Sequence, residues 1–208
     1  MRLAGVGLVL ALTACTSAHP TPVSAPAPAT VAAPVTLSAP QWRPGDRWVY
    51  DWTSGTEKGT KTIEVSETKA VNAVSYFVLR LEDVENYYTK DLHWAAAVRE
   101  SRIEARMVPP QPWFMWPLVA KQQWDHQGTF EDASGSRTFN DHFTVVGVEE
   151  IEVPAGKFQT MKVMREGERR DSDEYWYSAD VRWYVRWVGR RGDVTFEERL
   201  KEYRPGRR

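Results

Sequence analysis

Period-two alternation of apolar and polar side chains recurs along residues 41–208 and leaves few folds open to them. It is clearest in Trp48, Tyr50 and Trp52 against Val49 and Asp51, and in Phe77, Leu79 and Leu81 against Tyr76, Val78 and Arg80. Successive side chains of a strand point to opposite faces, so each run reads as a strand with one buried face. The same pattern predicts strands over 60–67, 85–94, 97–105, 123–132, 137–153, 158–168, 174–177, 183–188 and 194–203. No long stretch keeps apolar residues at helical spacing.

The connections are short, which favours antiparallel neighbours over parallel strands needing long crossovers. Residues 133–136 and 189–192 read as hairpin loops, and Val153-Pro154-Ala155-Gly156 suits a type I turn. About ten strands joined in this way make an all-β domain, a strongly curved antiparallel meander sheet or an incomplete β-barrel. A flat sheet of that size would leave long exposed edges.

The segment before the strands differs in kind. Arg2 precedes an uncharged apolar run from Leu3 to Leu12, and small residues follow, which is the pattern of an export signal over residues 1–14. The run is too short to cross a bilayer as a helix. Leu12-Thr13-Ala14-Cys15 resembles the lipobox of bacterial lipoproteins. That resemblance implies cleavage before Cys15, lipidation of its sulfur, and a membrane as partner through the N-terminal lipid. Cys15 is the one cysteine in 208 residues, so no disulfide joins the folded part. Thr16 follows it in place of the aspartate that holds many such proteins at the inner membrane, which implies an outer membrane facing the periplasm. Residues 15–40 carry Pro20, Pro22, Pro26, Pro28, Pro34 and Pro40 among Ala, Ser, Thr and Val and read as a linker, with one domain over 41–208.

Val153-Pro154-Ala155-Gly156-Lys157-Phe158, then Tyr175-Trp176-Tyr177-Ser178, then Leu200 to Tyr203, resemble a bacterial envelope family with a "VPAGTF … YWYAPGVG … V … L..Y" signature. Earlier "W.PGD.W.Y" and "PL..G..W" elements match Trp42 to Tyr50 and Pro117 to Trp124. Ala179 and Arg182 depart from the proline and glycine of that signature. The resemblance implies a β half-barrel and assigns no activity.

Catalytic chemistry has few footholds in the chain. No G-x-S-x-G elbow, H-E-x-x-H or glycine-rich phosphate loop is present, and the net charge of −1 calls for no nucleic acid. No catalytic residue, metal ligand or cofactor is assigned. Pairing Asp132 with Arg137 would set His126 opposite Phe143 and His142 opposite Gln127, with the two imidazoles on opposite faces. A loop of odd length would bring them together beside Asp125 and Asp141. The charged run 165–174 reads as a solvated hairpin tip.

One segment stands apart: Val108-Pro109-Pro110-Gln111-Pro112-Trp113-Phe114-Met115-Trp116-Pro117-Leu118. Its prolines exclude a central strand, yet Trp113, Phe114, Met115 and Trp116 are large and apolar. Such a loop either folds back as a plug or projects to meet a hydrophobic ligand, a membrane or an envelope protein. The chain therefore reads as a non-enzymatic envelope lipoprotein binding a hydrophobic or lipid-like ligand. Its alternatives are an interaction or scaffold module and, behind that, an enzyme acting on envelope material.

Overall fold

The computed structural model describes residues 35–168 and 171–207. Cys15 and the expected export signal lie outside the described residues. From Val35 onward the described residues form one compact unit, so the last residues of the expected linker belong to the fold. Strand β1 (Thr36–Leu37) pairs there with β8 (Leu118–Val119), and Leu37 packs on the core.

Twelve further strands form a closed antiparallel barrel. In chain order they are β2 (Arg47–Ser54), β3 (Glu57–Val71), β4 (Val74–Leu81), β5 (Val84–Thr89), β6 (Trp94–Arg99) and β7 (Arg102–Gln111). The second half comprises β9 (Gln123–Asp132), β10 (Gly135–Val153), β11 (Gly156–Glu166), β12 (Ser172–Ser178), β13 (Trp183–Arg191) and β14 (Val194–Arg204). Each pairs with the next, and β14 returns to β2 from Phe196↔Ser54 to Arg204↔Arg47. That last ladder turns the expected incomplete barrel into a closed one, which removes both open edges at once.

Several turns differ from expectation. The strands expected over 85–94 and 97–105 are β5, β6 and the start of β7, separated at 90–93 and at Glu100-Ser101. Glu100 and Ser101 adopt φ of 47° and 64°, as do Asn72 and Ala73 at 48° and 65°, so tight hairpin turns are made without glycine. The hairpin expected at 189–192 turns instead at Gly192-Asp193, because β13 runs on through Arg190 and Arg191. Pro109 and Pro110 lie inside β7, where its pairing with β9 has already stopped at Val108↔Thr129, so no ladder bond is missing a donor.

The seam between β14 and β2 is tied by one fully buried carboxylate. Asp46 accepts from the Arg43 backbone N–H (2.8 Å) and the Gly206 backbone N–H (2.7 Å), and it pairs with Arg182 Nη2 at 2.9 Å. Gly206 passes so close that a Cβ there would sit 2.3 Å from the Pro44 carbonyl oxygen. Tyr203 stacks on Trp48 (5.7 Å) and its hydroxyl accepts from Arg182 Nε at 2.9 Å. Arg182 and Lys121 hold positive φ, 60° and 69°, in the left-handed region that glycine adopts most readily. The expected outcome for Asp46→Ala is a loss of about 3 kcal/mol in unfolding free energy, measured by urea titration, because the buried Arg182 contact and two backbone donors lose their partner.

Candidate functional site

Alternation sorts the side chains by face. On β9, Trp124, His126 and Gly128 point in while Gln123, Asp125 and Gln127 point out; on β3, Ile63 and Val65 point in while Lys58, Thr60 and Glu64 point out. A polar exterior around an apolar interior is the reverse of a bilayer-spanning barrel.

The two ends of the interior are unlike. At one end lie the β1–β8 ribbon, the chain's entry and exit, and the 112–117 loop. Phe114 is fully buried against Tyr177 (5.3 Å) and Trp183 (5.7 Å), with Trp42, Trp48 and Leu118 around it. Their indole donors end on backbone carbonyls: Trp42 Nε1 on Arg182 O and Trp48 Nε1 on Val181 O, both at 2.8 Å. This end is sealed. The other end, ringed by the turns after β2, β4, β6, β9, β11 and β13, opens onto an interior cavity of about 380 Å³. That volume lies in the usual range of small-molecule sites. Ile63, Leu79, Leu81, Trp187, Phe130 and Phe139 give it apolar walls, and Trp113, Tyr88, Tyr175 and Trp183 form its floor.

Charge is present inside, but it is paired. Arg165, 5% exposed, reaches Asp173 through Nε and Asp141 through Nη1, both at 2.5 Å. Asp141 also accepts from Gln111 Nε2 (2.8 Å), and Asp173 from Trp187 Nε1 (3.0 Å) and Arg191 Nη2 (3.0 Å). A Cβ on Gly189 would fall 2.5 Å from the Trp187 ring and 2.9 Å from Asp173 Oδ1, so glycine makes room for this cluster. Across the cavity Glu198 pairs with Lys61 (2.5 Å) and accepts from the Tyr184 hydroxyl (2.7 Å).

Burial pushes the Asp141 carboxyl up, but the Arg165 charge and the Arg165 and Gln111 hydrogen bonds outweigh it and hold it below the ordinary 3.8. Burial likewise pushes Arg165 down, and Asp173, Tyr175 and Asp141 more than reverse that, so the guanidinium stays charged. The charged run read as a solvated tip thus sends Arg165 and Asp173 into the interior. Parity carried the signal, since Arg165 continues the inward row of Met161 and Val163, and Asp173 that of Tyr175 and Tyr177.

The four residues singled out in the proline-flanked loop divide between plug and cavity. Trp113 lines the cavity, stacked on Tyr175 (5.5 Å) and Trp183 (5.9 Å), with Nε1 donating to Gln111 Oε1 at 2.9 Å. Phe114 is enclosed in the core. Met115 and Trp116 are half-buried behind it; the Met115 carbonyl accepts from Gln122 Nε2 (3.1 Å), and Trp116 Nε1 donates to Asp91 O (3.0 Å). The loop folds inward, so it does not project from the barrel.

His126 and His142 point to opposite faces, as the even loop requires. The hairpin is two residues tighter than expected, pairing His126 with Asp141 and His142 with Asp125. His126 Nδ1 is 3.9 Å from Asp141 Oδ2, beyond hydrogen-bond reach, whereas His142 on the outer face meets Asp125 Oδ1 at 2.7 Å. Among the described residues no group of three or more His, Cys, Asp or Glu side chains is arranged to hold a metal ion.

No family model matches the chain, and no curated protein matches it in sequence. Three solved structures are similar in outline. One, provisionally described as a lipoprotein, is from Parabacteroides distasonis (12% identity, 81% of this chain and 99% of that one, TM-score 0.46). A second is an exported protein with a YmcC-like fold from Bacteroides fragilis (11%, 82% and 100%, 0.46). The third is the hypothetical lipoprotein YmcC of Escherichia coli (8%, 77% and 86%, 0.43).

The ion cluster makes its own acid test. Because the Asp141 value is lowered on folding, the stability linked to it is fully present above pH 3.8 and is lost as pH falls through the lower folded value. Arg165→Met is expected to lower the unfolding free energy by about 3–5 kcal/mol at neutral pH, since two buried carboxylates lose their shared partner. The deficit should shrink when urea midpoints are measured below pH 3.8, where the Asp141 carboxylate takes up a proton.

Proposed function

We propose that this chain is a lipid-anchored protein of the cell envelope, non-enzymatic, that holds a hydrophobic or lipid-like ligand inside its barrel. The observation that carries the binding reading is the 380 Å³ interior cavity, walled by aliphatic and aromatic side chains and open at one end only. The interior charges are engaged with one another, which leaves apolar contact as the main source of affinity for a guest. Support for the anchor comes from Leu12-Thr13-Ala14-Cys15, and support for the outer membrane from Thr16. The chain enters the fold at the sealed end, opposite the mouth, so a tether there leaves the mouth clear.

Native mass spectrometry of protein extracted from membranes is expected to show an apolar molecule retained by the barrel. Leu79→Trp, which fills the wall, should release it and weaken binding of apolar fluorophores at least tenfold while the melting curve keeps a single transition. An interior that takes up neither would defeat the reading. For the anchor, Cys15→Ser is expected to move the protein from the membrane fraction to the soluble fraction and to abolish acylation of the mature N-terminus.

A second reading, docking to an envelope protein, has its own observation. The outer face of β3 to β7 carries an apolar groove rimmed by exposed Val71, Ile103 and Val108. Photo-crosslinking from Ile103 in cells would give one dominant protein adduct if docking is the role.

A further inference from the structure

Four tyrosines meet around the barrel axis, and their hydroxyls have unequal surroundings. Tyr50 donates to the Tyr184 carbonyl (2.7 Å) and Tyr184 to Glu198 Oε2 (2.7 Å). Tyr88 and Tyr175, which are 5% and 4% exposed and both line the cavity, hydrogen-bond no other group among the described residues. Neither hydroxyl is among the enclosed polar atoms that lack a partner, so both open onto the cavity, where the oxygen of a guest can reach them. The indole N–H of Trp183, whose ring borders the same cavity, also has no acceptor. An indole nitrogen can only donate, so what is missing at this floor is an acceptor.

We propose that Tyr88 and Tyr175 form a receiving site for an uncharged oxygen acceptor, and that the ligand is an acyl ester or similar neutral amphiphile seated oxygen-first on the cavity floor. This rests on the binding reading above and names the chemistry of the guest. The chain of the guest would lie along Leu79, Leu81, Ile63 and Trp187 toward the mouth. A charged head is disfavoured because the nearby cations are already matched: Lys61 by Glu198, and Arg165 and Arg191 by Asp173. Adding one more charge to this enclosed space would leave it uncompensated. Burial, with Glu198 beside Tyr88 and Asp173 beside Tyr175, raises both phenols above their ordinary value, so they remain donors.

The test titrates the full chain carrying Cys15→Ser with decane, methyl decanoate and decanoate, following tryptophan fluorescence. Methyl decanoate is expected to bind about tenfold more tightly than decane, the effect of two ordinary hydrogen bonds. In the Tyr88→Phe, Tyr175→Phe double variant the ester should fall to the affinity of decane, with decane itself unchanged. Decane bound as tightly as the ester by the unmodified tyrosines would overturn this inference while leaving the binding reading intact. Decanoate bound more tightly than the ester would overturn the requirement for an uncharged head. Failure of decane and the ester alike to bind would overturn the binding reading, and this inference with it.

Discussion

The closing ladder between β14 and β2 is the constraint on which the rest of the molecule depends. Without it the sheet is a curved ribbon with two bare edges; with it the inward row of every strand faces a common axis and a cavity exists at all. A backbone ladder alone does not fix where two strands meet along their length. Asp46 does so here, because one carboxylate takes donors from the chain just before β2, from Gly206 just after β14, and from Arg182 in the turn between β12 and β13. The residues around Trp42 and Tyr203 are therefore pieces of a joint.

Above the joint the interior is built in tiers that differ in polarity. The sealed end is aromatic, with the Trp42 and Trp48 indole donors closed on nearby carbonyls. Over it lies a belt of paired charges, Arg165 with Asp141 and Asp173 on one side and Lys61 with Glu198 on the other. Such buried ions are weak contributors to stability, since attraction between them largely offsets their desolvation.

Much of this was legible before any coordinates. Alternation placed Trp48, Tyr50, Phe77 and Leu79 together on the buried rows of their strands, and the even loop after β9 separated His126 from His142. Where the reading went astray, local composition masked the backbone. Glu100-Ser101 and Asn72-Ala73 carry no glycine or proline, so hairpin turns there have no compositional mark. The charges of 165–174 point to solvent by type, but Arg165 and Asp173 fall in step with the inward rows of their strands, and their burial shows that parity rules there. Tyr88 and Tyr175 could be placed on inward rows by the same count. That their hydroxyls lack partners is a property of three-dimensional neighbours, to which spacing along a chain is blind.

The joint has a temporal side as well. Asp46 meets Gly206 across 160 positions, so the contact that seals the molecule is among the most distant in the chain. Contacts of high sequence separation form slowly, because the intervening chain must be gathered first. Until the last strand arrives, β2 offers an unsatisfied row of amides and carbonyls to any other extended polypeptide. Maturation of this fold is thus vulnerable at its final step, and a chain cut short before β14 would be left permanently adhesive.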